Sequence, residues 1–309
     1  MISGMHTHCP ICGSALVEQP GARKLGETAE RYQDCKRICP SCNIGLSNSE
    51  IRPTFIRANW RDGLWRRSSA ARLERLIDQS LNEPTREKKL RRLANERAED
   101  LLTWNVFSWL ESRRLLGQLI RWVGLSDPSD TPSIYYWGAT DRPAAGVALR
   151  ELLTRHFGES SNSLSEPDVV LVGEAAIVFV EAKLGSPNDH QIGTKADKYV
   201  NAAPGWFRGN AESVRQAGYY ELTRNWAIGG ALSERLGKRF ALVNLVRSGD
   251  EGKVSEEFRP LLSDKGTFAV RTWEDLVQAV EPALAAHLQD ETLYFEPAFP
   301  NLVVFRPQT

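Results

Sequence analysis

Long apolar runs are missing from this chain. No window approaches 18 uncharged apolar residues, so no membrane span is expected. The first residues, Met1 to His6, lack a basic region followed by an apolar one, so no secretory signal and a cytoplasmic location are expected. Neither charge sign is in excess. The 39 Lys and Arg balance 39 Asp and Glu, and zero net charge gives no global argument for a nucleic-acid partner. Cysteine is sparse: there are five, and four of them fall into two pairs. What is present is ordinary for a globular protein, with 41% hydrophobic and 25% charged residues. At 309 residues the chain can bury a real core and accommodate about two domains.

The paired cysteines come first in the chain. Cys9-Pro10-Ile11-Cys12 and Cys39-Pro40-Ser41-Cys42 are two Cys-x₂-Cys knuckles. Thiolates spaced in this way on a tight turn can both reach one tetrahedral Zn²⁺, and two such turns complete a closed site. In a cytosolic chain disulfides are the poorer explanation. With all four positions filled by sulfur, the zinc would hold structure and do no chemistry. Cys35, His6 and His8 are spare donors nearby. The knuckles resemble a zinc ribbon, a module that can meet nucleic acid or a protein partner.

Charge is unevenly distributed behind this module. Residues 51–92 hold 12 Lys and Arg against 5 Asp and Glu, a net of +7, and could track a phosphate backbone through Arg66, Arg67, Arg91 and Arg92. A solvated helical face explains the same pattern equally well. Phe55, Trp60 and Trp65 among arginines could stack on bases, but packing of the zinc module on the adjoining helical segment is the favoured reading. Helices are expected over 64–81 and, with a break near Asn105 or Gly117, over 84–123.

Residues 166–184 organise the remainder. Val169 to Val172 and Ala175 to Val180 are apolar runs of strand length separated by Gly173-Glu174, a two-residue hairpin signal. Pairing 172 with 175 would set Asp168 opposite Phe179. Alternation then puts Asp168, Phe179, Glu181 and Lys183 on one face, with the two carboxylates roughly 7–8 Å apart or less. A divalent oxygen-seeking cation between them, with Lys183 beside a water, would relieve their repulsion.

Pro167-Asp168 followed by a strand ending Glu181-Ala182-Lys183 resembles the PD-(D/E)XK nuclease superfamily. The resemblance implies a restriction-endonuclease-like α/β fold, a mixed sheet flanked by helices, and Mg²⁺ (or Mn²⁺) held by Asp168 and Glu181. It also implies that Lys183 serves the attacking water. Members carry a further acid on an upstream helix. Glu99 is ranked slightly ahead of Glu151, which would match the archaeal junction-resolvase branch, and Asp100 is the neighbour of Glu99. A helix capped by Asn210 and running to about 224 carries Gln216 and Tyr220, four apart. This resembles the RecB-type branch, where such a pair lies beside the active site and helps orient the motif or the DNA, which implies a substrate-binding role for Gln216 and Tyr220. The segment between Lys183 and Gly209 reads as a polar loop or short helix that could close over substrate.

Further strands are expected over 134–137, 240–246 and 267–270. A helix is expected over 143–157, and another should open at Thr272 with capping-box spacing. The apolar tail, 293–305, should pack on the domain. The chain is thus read as a zinc module (1–60), a basic helical connector (61–92) and a nuclease-like domain (93–309). It would hydrolyse phosphodiester bonds in nucleic acid, DNA ahead of RNA, in a setting such as restriction or phage defence. A non-cleaving nucleic-acid binder and a partner-recruiting zinc protein are the alternatives.

Overall fold

The apolar runs of the sequence assemble into one mixed sheet. The computed structural model describes residues 7–9, 12–24, 26–27, 29–49, 54–129, 131–184, 193–287, 291–295 and 303–307. Four short strands come first: β1 (Val17–Glu18), β2 (Arg37–Cys39), β3 (Ile44–Leu46) and β4 (Phe55–Arg57), antiparallel in that order. Four helices follow: α1 (Ala70–Asp78), α2 (Arg86–Arg92), α3 (Glu99–Ser112) and α4 (Leu116–Trp122). The main sheet takes β5 (Ser133–Tyr136), β6 (Val169–Val172), β7 (Ala176–Ala182), β8 (Arg239–Val246) and β9 (Thr267–Thr272) in sequence order. The β5–β6 and β6–β7 pairs are antiparallel, whereas β7–β8 and β8–β9 are parallel.

Between β5 and β6, α5 (Leu149–Glu151) continues into a π-helical turn at Leu152–His156. The crossover from β7 to β8 contains α6 (Asp197–Ala202), α7 (Ala211–Ala217) and α8 (Tyr220–Leu236). Then come α9 (Val254–Glu257), α10 (Trp273–His287) and a separate antiparallel pair, β10 (Glu291–Phe295) and β11 (Val303–Pro307). The tail therefore does not extend the main sheet. Residues 185–192, expected to begin with a turn, lie outside the described residues, as does His6.

Strand β7 is buried along its whole length, as a strand with partners on both sides and helices on both faces must be. Its even residues, Val178 and Val180, join α3, α4 and α10 in one core. Its odd residues, Ile177 and Phe179, join the α5 turn, α6 and α8 in the other. Helix α3 is surrounded: every residue from 101 to 110 is buried, including Asn105, which donates to Gly63 O at 2.7 Å. This explains why no single apolar stripe marks it in the sequence.

The helical residues of 61–92 pack on this body. Leu73, Leu76, Ile77 and Leu93 are fully buried in the same core as Trp104 and Val169. The expected 64–81 helix shrinks to α1, and the 84–123 region breaks at 93–98 and 113–115. Trp65 donates from Nε1 to Ser108 Oγ at 2.7 Å, so this aromatic packs rather than waits for a base. Tyr199 and Trp206, expected in a substrate-closing loop, are buried in the second core. The capping box forms: Thr272 N donates to Asp275 Oδ2 at 3.1 Å, and Asp275 N donates to Thr272 Oγ1 at 3.0 Å.

Two interfaces give tests. Helix α8 makes its closest packing through Gly229, against the sheet, and Gly230, against Trp206. A Cβ at Gly229 would lie 2.2 Å from the Phe240 ring, and one at Gly230 would lie 2.3 Å from Trp206. Helix propensity alone would make Gly229→Ala stabilising by about 1 kcal/mol. Because the buried ring has nowhere to go, the overpacking cost of roughly 1–3 kcal/mol prevails. Gly229→Ala is therefore expected to lower the denaturation midpoint.

The other interface lies where the N-terminal strands meet α2. Glu96 is buried beside β4, and its burial pushes the carboxyl up to about 7 against the pull of Arg97 and Arg57. The unfolded value is about 4.3. A raised acid favours the fold below its unfolded pKa and loses that contribution as pH climbs through its folded one. Stability should therefore fall between about pH 4 and 7 by on the order of 3 kcal/mol from this group. Glu96→Gln should flatten that dependence in denaturant titrations across this range.

Candidate active site and metal centre

The hairpin at the centre of the sheet differs from the simplest expectation. Val172 pairs with Ile177, and Gly173 N donates to Ala176 O at 2.9 Å, so the connection is longer than two residues. The cause is Asp127, a buried carboxylate that accepts from Ala175 N at 2.8 Å and Glu174 N at 3.3 Å. A Cβ at Gly173 would sit 2.4 Å from that carboxylate, which is why glycine stands there. The register moves by two residues, so Val170 and not Asp168 faces Phe179. A shift of two preserves the face. Carried one step past Val169–Val180, it sets Asp168 across from Glu181.

Beside this strand end lies a cleft of about 300 Å³. Asp168, Glu181, Lys183 and Glu99 all line it, brought together from β6, β7 and the first residue of α3. Asp168 Oδ2 accepts from Ala182 N at 2.8 Å, and Glu99 Oε1 accepts from Leu184 N at 2.9 Å. The two acids thus hold the same strand end from opposite sides of its motif. Lys183 Nζ lies 2.7 Å from Glu181 and 2.7 Å from Glu221. The other Glu181 oxygen accepts from Asn225 Nδ2 at 2.7 Å, and Trp273 Nε1 fixes the backbone by donating to Lys183 O.

Burial, with the Glu181 charge added, pushes the Asp168 carboxyl well above its usual range, while Lys183 opposes the shift. Glu181 is raised as well, again chiefly by burial and then by Glu221, against Lys183 and Arg224. Burial alone would push the Lys183 ammonium down. Glu181, Asp168, Glu221 and Glu99 outweigh it and hold Lys183 protonated. The cleft therefore combines carboxylates short of positive charge with a lysine committed to its charged form.

Glu151 lies elsewhere. It lines a different cavity of about 550 Å³ with Arg155, His156 and Trp206, and it pairs with Arg155 at 3.2 Å and Arg235 at 3.5 Å. Of the two candidate upstream acids, Glu99 is the one beside Asp168.

The Gln216–Tyr220 pair does not form as expected. The helix expected over 210–224 stops at Gly218, whose φ of 83° closes α7, and Tyr220 begins α8. The two side chains are therefore not four apart on one helix. Gln216 is exposed and donates to Glu212, Tyr220 packs on Tyr199, and neither is among the residues lining the cleft.

Helix α8 instead supplies Glu221, Arg224 and Asn225, three polar residues at helical spacing. In the sequence they stand among Leu222, Trp226 and Ile228, all buried, and that interruption of an apolar pattern was the available signal. Lys89, Asp100 and Glu166 also line the cleft, with Lys89 Nζ 3.1 Å from Glu166 and 3.6 Å from Asp100. Its platform is Trp137, at 5.3 Å from the ring centre. Trp137 and Gly138, with φ of 50° and 80°, make the tight turn between Tyr136 and Ala139.

A second constellation lies in the N-terminal strands. Cys9, Cys12, Cys39 and Cys42 bring their ligand atoms within 4.8 Å of one another and could bind a metal ion such as zinc. The strand pair Cys39–Ile44 makes the second knuckle a hairpin, with Asn43 at φ 52°, and Gly13, at φ 70°, follows the first. Cys35 is separate. Its thiol, pushed up to about 12 by burial and by Asp34, is buried against β3, where any Cβ at Gly45 would meet its sulfur at 2.6 Å. Among the described residues, the cleft carboxylates do not make a comparable cluster of converging ligand atoms. No family model, curated protein or solved structure matches the chain.

Elemental analysis is expected to find about one zinc per chain. Cys39→Ser should release it and expose the N-terminal strands to protease while the main sheet stays folded. A metal-free preparation with equally resistant N-terminal residues would overturn this assignment.

Proposed function

We propose that the chain is a metal-dependent nuclease that hydrolyses phosphodiester bonds, with DNA the preferred substrate, and that its fold is of the PD-(D/E)XK kind. The observation that carries this reading is the cleft that gathers Asp168, Glu181, Lys183 and Glu99 at one strand end. The donor set suits a hard divalent cation such as Mg²⁺ or Mn²⁺, because the carboxylates are oxygen ligands whose charge burial leaves poorly compensated. Asp168 and Glu181 would hold it, with Glu99 as the further acid. When bound, such a cation polarises a phosphate and lowers the pKa of a coordinated water.

The chain's own residues supply the rest. Lys183, paired with Glu181 and Glu221, orients or deprotonates the attacking water and offsets charge on the phosphate. Asn225 fixes Glu181 through its second oxygen. Zinc held by Cys9, Cys12, Cys39 and Cys42 would fix their strands in place and would take no part in hydrolysis.

Cleavage of circular DNA with Mg²⁺ or Mn²⁺, alongside calorimetric metal titration, tests the assignment. Asp168→Ala should lose both metal binding and cleavage. Lys183→Ala should lose cleavage by about 100-fold or more, on the order of a removed transition-state contact, yet still bind metal. Glu99→Gln should cost more than Glu151→Gln. Cleavage by Asp168→Ala at the parental rate would refute the reading.

A further inference from the structure

Five of the seven residues of α2 are cations, and the structure gives them different tasks. Arg86 donates to Ser80 O, Arg91 pairs with Glu30 at 3.0 Å, and Lys89 is held by Glu166 and Asp100. Lys88 and Arg92 remain. Four residues apart, they share one side of the helix; both are exposed, and both line the cleft that holds Asp168 and Glu181.

The lining contains six acids, among them Asp168, Glu181 and Glu221, and five cations. Two of those cations, Lys89 and Lys183, are already engaged by the acids. A polyanion approaching this cleft is repelled unless exposed positive charge offsets the carboxylates. Lys88 and Arg92 are placed to do so. Among the described residues, Leu164 is the one apolar side chain of the lining, and no aromatic ring lines it for a base to stack on.

Building on the nuclease reading, we propose that Lys88 and Arg92 form the phosphate grip of this cleft. They hold the nucleic-acid backbone beside the scissile bond without reading its sequence. Phosphate contacts position a nucleic acid and carry no sequence information. Arg67 and Arg91, equally basic in the sequence, are committed to Asp62 and Glu30 and lie outside the lining.

The test is fluorescence anisotropy with the full chain and a short labelled DNA duplex of mixed sequence, without added divalent cation, repeated with single-stranded DNA and with RNA. Lys88→Ala/Arg92→Ala should weaken binding about 10-fold or more and reduce the slope of log affinity against log salt by roughly 2. Arg67→Ala/Arg91→Ala should leave both unchanged, and changing the duplex sequence should change neither. In cleavage, the Lys88/Arg92 variant should raise KM with kcat largely retained, and its Mg²⁺ titration should match the parent's. Both residues are exposed, so unchanged circular dichroism is expected. Parental affinity and slope in this variant would overturn the proposal, as would a parent that binds none of the probes. A chain that grips DNA through these residues and never cuts it would remove the nuclease reading and leave this one standing.

Discussion

The buried Glu181 carboxylate and the Lys183 ammonium 2.7 Å from it set the terms for everything around them. They stand at the end of a strand whose other residues are all buried and apolar. Burying charge in such a place is costly unless each group is paired and hydrogen-bonded. Helix α8 answers that demand with Glu221 and Asn225, and Glu99 and Trp273 tie down the backbone on either side of Lys183. The arrangement is electrostatically incomplete all the same, because Asp168 and Glu181 remain pushed above their ordinary range. A site left with surplus negative potential next to a fixed cation is suited to ligands that carry positive charge themselves or bring it with them.

What could be read from the sequence was what depends on local pattern. The period-two alternation around Val169–Val172 and Val178–Val180 placed Asp168, Glu181 and Lys183 on a common face, and the observed register keeps them there. The paired cysteines likewise converge. The exact register was not legible, because the loop length is decided by Asp127, 48 residues before its partner Ala175 in the chain. Gly218 is a helix stop legible in the sequence, and its left-handed conformation separates Gln216 from Tyr220 despite their four-residue spacing.

Charge proved harder to read than apolarity. The basic stretch over 51–92 suggested one continuous surface, whereas the fold sorts its members residue by residue. Arg72 grips Glu111 through two nitrogens, at 2.6 and 2.9 Å, and also reaches Asp141. Arg57 is buried, and Lys89 turns inward. These partners are distant in sequence, so a local count of charges could not distinguish a committed arginine from a solvated one. Adjacent residues of α2 meet opposite fates for the same reason, since a step of one residue turns about a quarter of the way round a helix.

The cleft is not the property of the sheet alone. Lys89 fastens α2 to the segment entering β6, and Glu166 reaches back to accept from Asn82 N at 2.6 Å. One wall thus comes from residues 82–92 and the facing one from residues 164–183. A fragment begun at residue 93 would inherit the carboxylates yet lose a third of the residues that enclose them, along with the lysine that balances Glu166. Recombination, transplantation or domain trimming that treats the first ninety residues as a removable attachment would cut through the site itself, leaving a strand end open to water.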